Sequence, residues 1–183
     1  FKTDDLEGKG IAAQNQAPIK FTQDCASFKD FSEGPMMDTG NTFDIAIKGD
    51  ALFSIETDNG EKFTRKGQFQ LDKTGMIVNN QGHPLLSENG TPFFIAPTEK
   101  EVIIAPNGDV TTENGVIGKI KLGKFEDNQK LLSIGDALYE NTAGNKIIPT
   151  TQDVMVAQGS IEKSNINSIA EMTKLIELQR SYE

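Results

Sequence analysis

Glycine recurs at positions 40, 49, 60, 67, 75, 82 and 90, at gaps of seven to eleven residues. Between these glycines the apolar residues alternate. Phe43, Ile45 and Ile47 alternate with Asp44, Ala46 and Lys48, and Phe53 and Ile55 with Ser54 and Glu56. A side-chain period of two marks half-buried strands. Glycine supplies the backbone freedom that tight turns between them need. Asn-Gly dipeptides at 59–60, 89–90, 107–108 and 114–115 add the pair favoured in hairpin loops. Nothing between 43 and 150 sustains a helical period. This region is therefore restricted to short strands and turns, a mainly β body. Strands are predicted at 43–48, 51–57, 62–66, 68–71, 76–79, 102–105, 116–125 and 137–140. Asn59-Gly60 is predicted to form a type I′ turn.

The flanks differ. Residues 1–38 are polar and weakly periodic, with Phe21, Phe28 and Phe31 spaced irregularly. They read as an extended N-terminal arm that lays aromatic anchors on the body, and residues 1–20 read equally as a disordered tail. The β-rich body covers 39–152. Residues 153–183 hold a last strand around Val154, Val156 and Ile161, followed by a C-terminal amphipathic α-helix. Ser168 with Glu171 fits a capping box, and Asn167 is an equivalent N-cap. On this helix Ile169, Met172, Leu175, Ile176 and Tyr182 share one face, opposite Glu171, Lys174, Glu177 and Arg180. No second long helix is predicted to cover that stripe, so these five residues are assigned to an assembly interface. The chain opens at Phe1 and closes inside the helical pattern, and it reads as the middle of a longer protein.

Composition excludes several chemistries. The net charge is −9, which opposes binding to a phosphate backbone. A single cysteine, Cys25, and a single histidine, His83, exclude an internal disulfide, a multi-Cys zinc site and paired-His metal motifs. A Cys25–His83 pair would lack a third orienting group. Asp72-Lys73-Thr74-Gly75 and Asn107-Gly108-Asp109 resemble calcium loops but lack the ligand spacing, so both read as turns. Glu61, Lys62, Arg65 and Lys66 read as a solvated strand face. Asn89-Gly90-Thr91 matches the glycosylation triplet, a weak motif. No catalytic residue, metal ligand or cofactor-binding residue is assigned, and no cofactor is expected. No apolar run reaches the ~18 residues of a membrane helix.

Several segments carry a more specific signal. Gln158 to Asn167, QGSIEKSNIN, resembles the "QGxLExSNV" signature of the flagellar axial proteins, the rod and hook family. Gln179 to Glu183, QRSYE, is similar to that family's "QRAYE". Phe43 to Phe53 resembles its "DxAIxGxGFF" strand pair, Phe63 to Phe69 its "YTRxGxF" segment, and Gly82 to Leu86 its "GxPVLG" turn without the final Gly. Phe1-Lys2 resembles the end of an N-terminal family motif. The likeness covers 39–183 well and 1–38 weakly. The short body leaves no room for the outer domain of hook subunits, so the chain is most similar to proximal-rod members, with distal-rod members next.

The resemblance implies a compact β domain of the rod/hook type and a structural subunit. Family members stack helically with other copies and neighbouring rod proteins as a periplasmic drive shaft that transmits torque. They pass through the flagellar export apparatus without a cleaved signal peptide. Neither nucleic acid nor a small-molecule substrate is expected as a partner. The contrasting expectation is a ligand- or glycan-binding β domain or an enzyme, which would show a deep pocket with convergent carboxylates.

The turn assignment has a direct test. Gly60→Val should destabilise the body by about 1 kcal/mol or more, because a β-branched residue resists positive φ. An unchanged thermal midpoint would refute a positive φ at this position.

Overall fold

Alternation and glycine turns produce strands throughout the computed structural model, which describes residues 29–99, 101–142, 144–148, 153–165 and 168–182. The first half holds β1 (Met36–Asp38), β2 (Ile45–Lys48), β3 (Leu52–Thr57), β4 (Gly60–Thr64), β5 (Phe69–Leu71) and β6 (Ile77–Asn79). The second half holds β7 (Val102–Ile104), β8 (Asp109–Thr112), β9 (Gly115–Lys119), β10 (Leu122–Phe125), β11 (Leu132–Gly135), β12 (Leu138–Glu140) and β13 (Ile147–Ile148). β14 (Met155–Gln158) and β15 (Ser160–Glu162) precede the helix α1 (Ser168–Tyr182). The mainly β class with a C-terminal helix therefore holds.

Every ladder is antiparallel. A six-stranded sheet runs β11-β12-β4-β3-β10-β13, a three-stranded sheet runs β7-β8-β9, and β14-β2, β5-β6 and β1-β15 form pairs. Backbone bonds stitch these small sheets together. Leu86 N–H donates to Ser54 O, Lys121 N–H to Leu86 O and Ile95 N–H to Gly75 O.

The main core gathers Ile45, Ile47, Phe53, Ile55, Phe69, Ile77, Leu85, Phe93, Val110 and Ile120. These are largely the inward residues that the alternation picks out. A second cluster of Leu52, Phe63, Phe125 and Leu131 lies on the other face of β3, covered by Phe31 and Tyr139. Phe63 and Phe125 meet edge to face with centroids 4.8 Å apart. This cluster explains one departure from the alternation. Ser54, expected on a solvent face, is fully buried because the back of β3 is covered too. Ala46 is likewise buried, where β14 pairs with β2 and β15 passes beside it.

Three local expectations are corrected. The predicted 116–125 strand breaks at Ile120 and Lys121. Ile120 N–H donates to Gly108 O, while Lys121 N–H bonds to Leu86 O, so the chain changes sheets there. β1, β8, β11 and β13 lie outside the predicted strands, being short, exposed or weakly apolar. The hairpin at 57–60 forms, but not with a type I′ turn. Thr57 pairs with Gly60, so Asp58 and Asn59 form the loop, and only Gly60, at φ 93°, takes positive φ. Double positive φ occurs instead at Asp136 (52°) and Ala137 (59°), between β11 and β12. Just before that turn a bulge between Ser133 and Gly135 shifts the register of β11.

Two substitutions should act in opposite directions. Ala137→Gly should stabilise the body by about 0.5–1 kcal/mol, since it relieves a left-handed backbone that disfavours a Cβ. Gly67→Ala should cost at least ~2 kcal/mol. A Cβ there would lie 1.5 Å from Ile45 O, whose own N–H donates to Gly67 O. Urea denaturation of both variants checks the pair, and equal midpoints would contradict the geometry.

Candidate functional site

The polar motifs are spent on turns. Asp72 accepts from Thr74 N–H at 2.8 Å, Thr74 Oγ1 at 2.7 Å and Met76 N–H at 2.8 Å. The Thr74 hydroxyl and then the Met76 amide hold its carboxyl below the usual range. Glu99 is lowered by hydrogen bonds from Asn114 and Thr112. Contributions of this sign are present at neutral pH and fade as pH falls through the lowered value. Asn107 accepts from Asp109 N–H in the same turn style. His83 N–H donates to Asn79 Oδ1 at 2.9 Å within a turn. Cys25, Phe21 and Phe28 lie outside the described residues. Among the described residues no three His, Cys, Asp or Glu side chains gather as a metal site, and no helix is long and apolar enough to cross a membrane.

The expectation of a solvated face at 61–66 holds for Lys66, which is exposed, and fails for Lys62 and Arg65. Lys62 is 5% exposed and pairs with Glu140 at 2.7 Å. Glu61 pairs with Lys121 at 2.7 Å. β4 lies inside the six-stranded sheet between β3 and β12, so Lys62 is enclosed and the charged residues of this strand find partners across it.

Arg65 is the most connected of them. Its Nη1 donates to Gly49 O and Ala51 O, both at 2.7 Å, and its Nη2 to Ile47 O at 3.2 Å. Its Nε donates to Glu162 Oε2 at 2.6 Å, and Glu162 Oε1 accepts from Gly34 N–H at 2.8 Å. The "YTRxGxF" and "QGxLE" segments, 97 residues apart, thus meet at one ion pair. The arm runs on from this point. Glu33 accepts from Gly49 N–H, the ring of Phe31 meets that of Tyr139 at a tilt of 54° with centroids 5.3 Å apart, and Lys29 exchanges bonds with Gln129. A groove of about 310 Å³ lies alongside, lined by Phe31, Arg65, Tyr139, Glu162 and Asn165. The carboxylate of Glu162 in its wall is already taken by Arg65 and Gly34.

The helix presents the other candidate surface. Met172, Leu175, Ile176 and Tyr182 are all exposed, Tyr182 by 87%. The side chain of Ile169 lies outside the described residues. Leu178 is exposed beside them and widens the stripe by one residue the sequence analysis omitted. The body adds exposed apolar residues on edge strands: Leu132 and Ile134 on β11, Ile147 and Ile148 on β13, and Val116 and Ile117 on β9, the last within the strand expected at 116–125.

Two families match this chain. Residues 46–112 match the flagellar hook protein FlgE/F/G D1 domain, and residues 157–183 match the C-terminal part of the flagellar basal body rod FlgEFG proteins. The chain is 34% identical over 189 residues to the flagellar basal-body rod protein FlgF of Caulobacter vibrioides, covering 100% of this chain and 77% of that protein. Identity to FlgF of Mesorhizobium japonicum is 30% over 173 residues, 94% of this chain and 72% of that one. Identity to the rod protein FlgG of Buchnera aphidicola subsp. Schizaphis graminum is 33% over 167 residues, 85% and 63% respectively.

Arg65→Lys keeps the charge but loses the planar fork that serves three carbonyls and a carboxylate. It should lower the unfolding free energy by about 2–4 kcal/mol, near the cost of breaking a buried pair. A loss below ~0.5 kcal/mol in guanidinium melts would show that a point charge suffices there.

Proposed function

The chain belongs to the flagellar basal-body rod protein family, F type, and from that premise we propose how it builds the rod. It is a structural subunit of the bacterial flagellar basal body. The proposal is that copies stack helically with one another and with neighbouring rod proteins in the periplasm, after passing the export apparatus without a cleaved signal peptide. A heterologous contact, in which two different surfaces of one subunit meet, generates such an open helix. In this division of labour residues 39–152 form the shell that carries torque, residues 1–38 brace it, and residues 153–183 lead into an inner helical layer. No substrate or catalytic residue is assigned, in keeping with a structural family.

One observation carries the proposal. Met172, Leu175, Ile176, Leu178 and Tyr182 remain exposed while the β body packs two cores of its own. An isolated helix of this length is marginal in water, and an apolar stripe stabilises it only when covered. We assign the cover to a helix of the assembly, formed by the segment that precedes Phe1 in this family. Ile169 belongs to the same stripe by its spacing.

Leu175→Asp with Ile176→Asp would place two carboxylates in that seam, at a cost of several kcal/mol if both stay charged. The full-length double variant should keep the body's melting temperature and still be exported, but build no rod and leave cells non-motile. A large fall in melting temperature would show the stripe to be intramolecular core. Normal motility would remove the helix from the assembly surfaces.

A further inference from the structure

The body carries two attachments for the segment that leads into the helix. At its start, Gly159 N–H and Ser160 N–H both donate to Asp44 O, at 2.7 and 3.3 Å. At its end, the carboxylate of Glu162 meets Arg65. The two points are about 7–10 Å apart along β15, at ~3.3 Å per residue. One attachment would leave the segment free to swing, whereas two fix a direction. The arm is bound into the same place. β1 pairs with β15, Glu162 accepts from Gly34 N–H, Lys163 N–H donates to Pro35 O at 3.0 Å, and Asn165 Nδ2 donates to Ser32 Oγ at 2.9 Å. The approach is so close that a Cβ on Gly34 would lie 1.8 Å from Lys163 O. These contacts hold the chain as far as Asn165, three residues before α1 begins at Ser168.

We propose that Glu162 is a positioning residue: bridging Arg65 of the body and Gly34 of the arm, it sets the direction in which the C-terminal helix leaves the β body. The chemistry favours this role over general stabilisation. Arg65 has three carbonyl partners on residues 47, 49 and 51 besides Glu162, so the body has a tie of its own at this point. Glu162 is the group that transfers this fixed point to the departing chain. A stacked subunit needs a constant angle between its layers, because each angular error repeats along an open helix. The proposal rests on the rod assignment above.

The test places spin labels on the body and the helix of the full-length protein, at Lys73→Cys and Glu177→Cys, with Cys25→Ser removing the native thiol. Both labelled residues are exposed and lie off the apolar stripe. Pulsed-dipolar spectroscopy of the otherwise unchanged chain should give a narrow distance distribution. Glu162→Gln, whose amide oxygen can still accept from Arg65 Nε, should about double its width while the body stays folded with a cooperative melting transition. Gly34→Ala, which forces the arm and the exit segment apart without touching Arg65, should broaden it similarly. In cells lacking their own copy, both variants should be exported but enter rods at least tenfold less often. Distributions that stay narrow in both variants overturn the proposal. So does a broad distribution in the unchanged chain, loss of the folded body in both variants, or rod incorporation at the unchanged level. Failure of the unchanged gene to restore motility would count against the rod assignment itself and not against the role of Glu162.

Discussion

The guanidinium of Arg65 joins three backbone carbonyls of residues 47, 49 and 51 to the carboxylate of Glu162. Around it are the end of β2, the turn into β3, the exit of β4 and the end of β15. A side chain so enclosed is tolerable only when its donors are satisfied, since an unpaired buried charge is far more costly than an unpaired amide. The surrounding carbonyls supply that satisfaction. They can do so because Gly49 takes φ 107° and Gly67 lets its backbone approach Ile45 closely. Residues distant in sequence are thus mutually required: the glycines permit the approach, and the arginine uses it.

Packing follows the same economy of small pieces. Among the described residues the strands form sheets of two to six members, and the main core is shared among them. The second cluster, around Phe63 and Phe125, closes the back of β3 only because Phe31 of the arm and Tyr139 of β12 lie over it. The arm thereby contributes burial as well as connection. Antiparallel ladders with such cross-bracing resist shear between sheets. What remains uncovered is concentrated in the edge strands β9, β11 and β13 and in the helix stripe. Apolar strand edges left open in this way offer pairing and packing surfaces to other chains.

Much of the architecture was legible along the chain. Alternation located β2, β3, β5, β6 and β12 and chose most of the main core, because a pleated strand with one covered face must repeat every two residues. The helical spacing of Met172, Leu175 and Ile176 located α1 for the equivalent reason at 3.6 residues per turn. Turn-forming glycines at 60, 75, 82, 90 and 108 all take positive φ. The family likeness came from short ordered motifs, and the relatives matched over most of the chain agree with it.

Read along the chain, the sequence is enough for the class of elements, the helix with its apolar stripe and the family, since these depend on local periodicity and on motifs contiguous in the chain. It misjudged Lys62 and Arg65 as solvated, because burial of a charge depends on partners such as Glu140 and Glu162, 78 and 97 residues away. It placed the type I′ geometry at Asn59-Gly60, whereas strand register puts positive φ on Asp136 and Ala137. It passed over β1 and β13, which are strands only because β15 and β10 lie beside them. These features arise when distant segments pack together. A ladder, an ion pair or a covered back face is a relation between distant segments, and no single stretch of chain carries it.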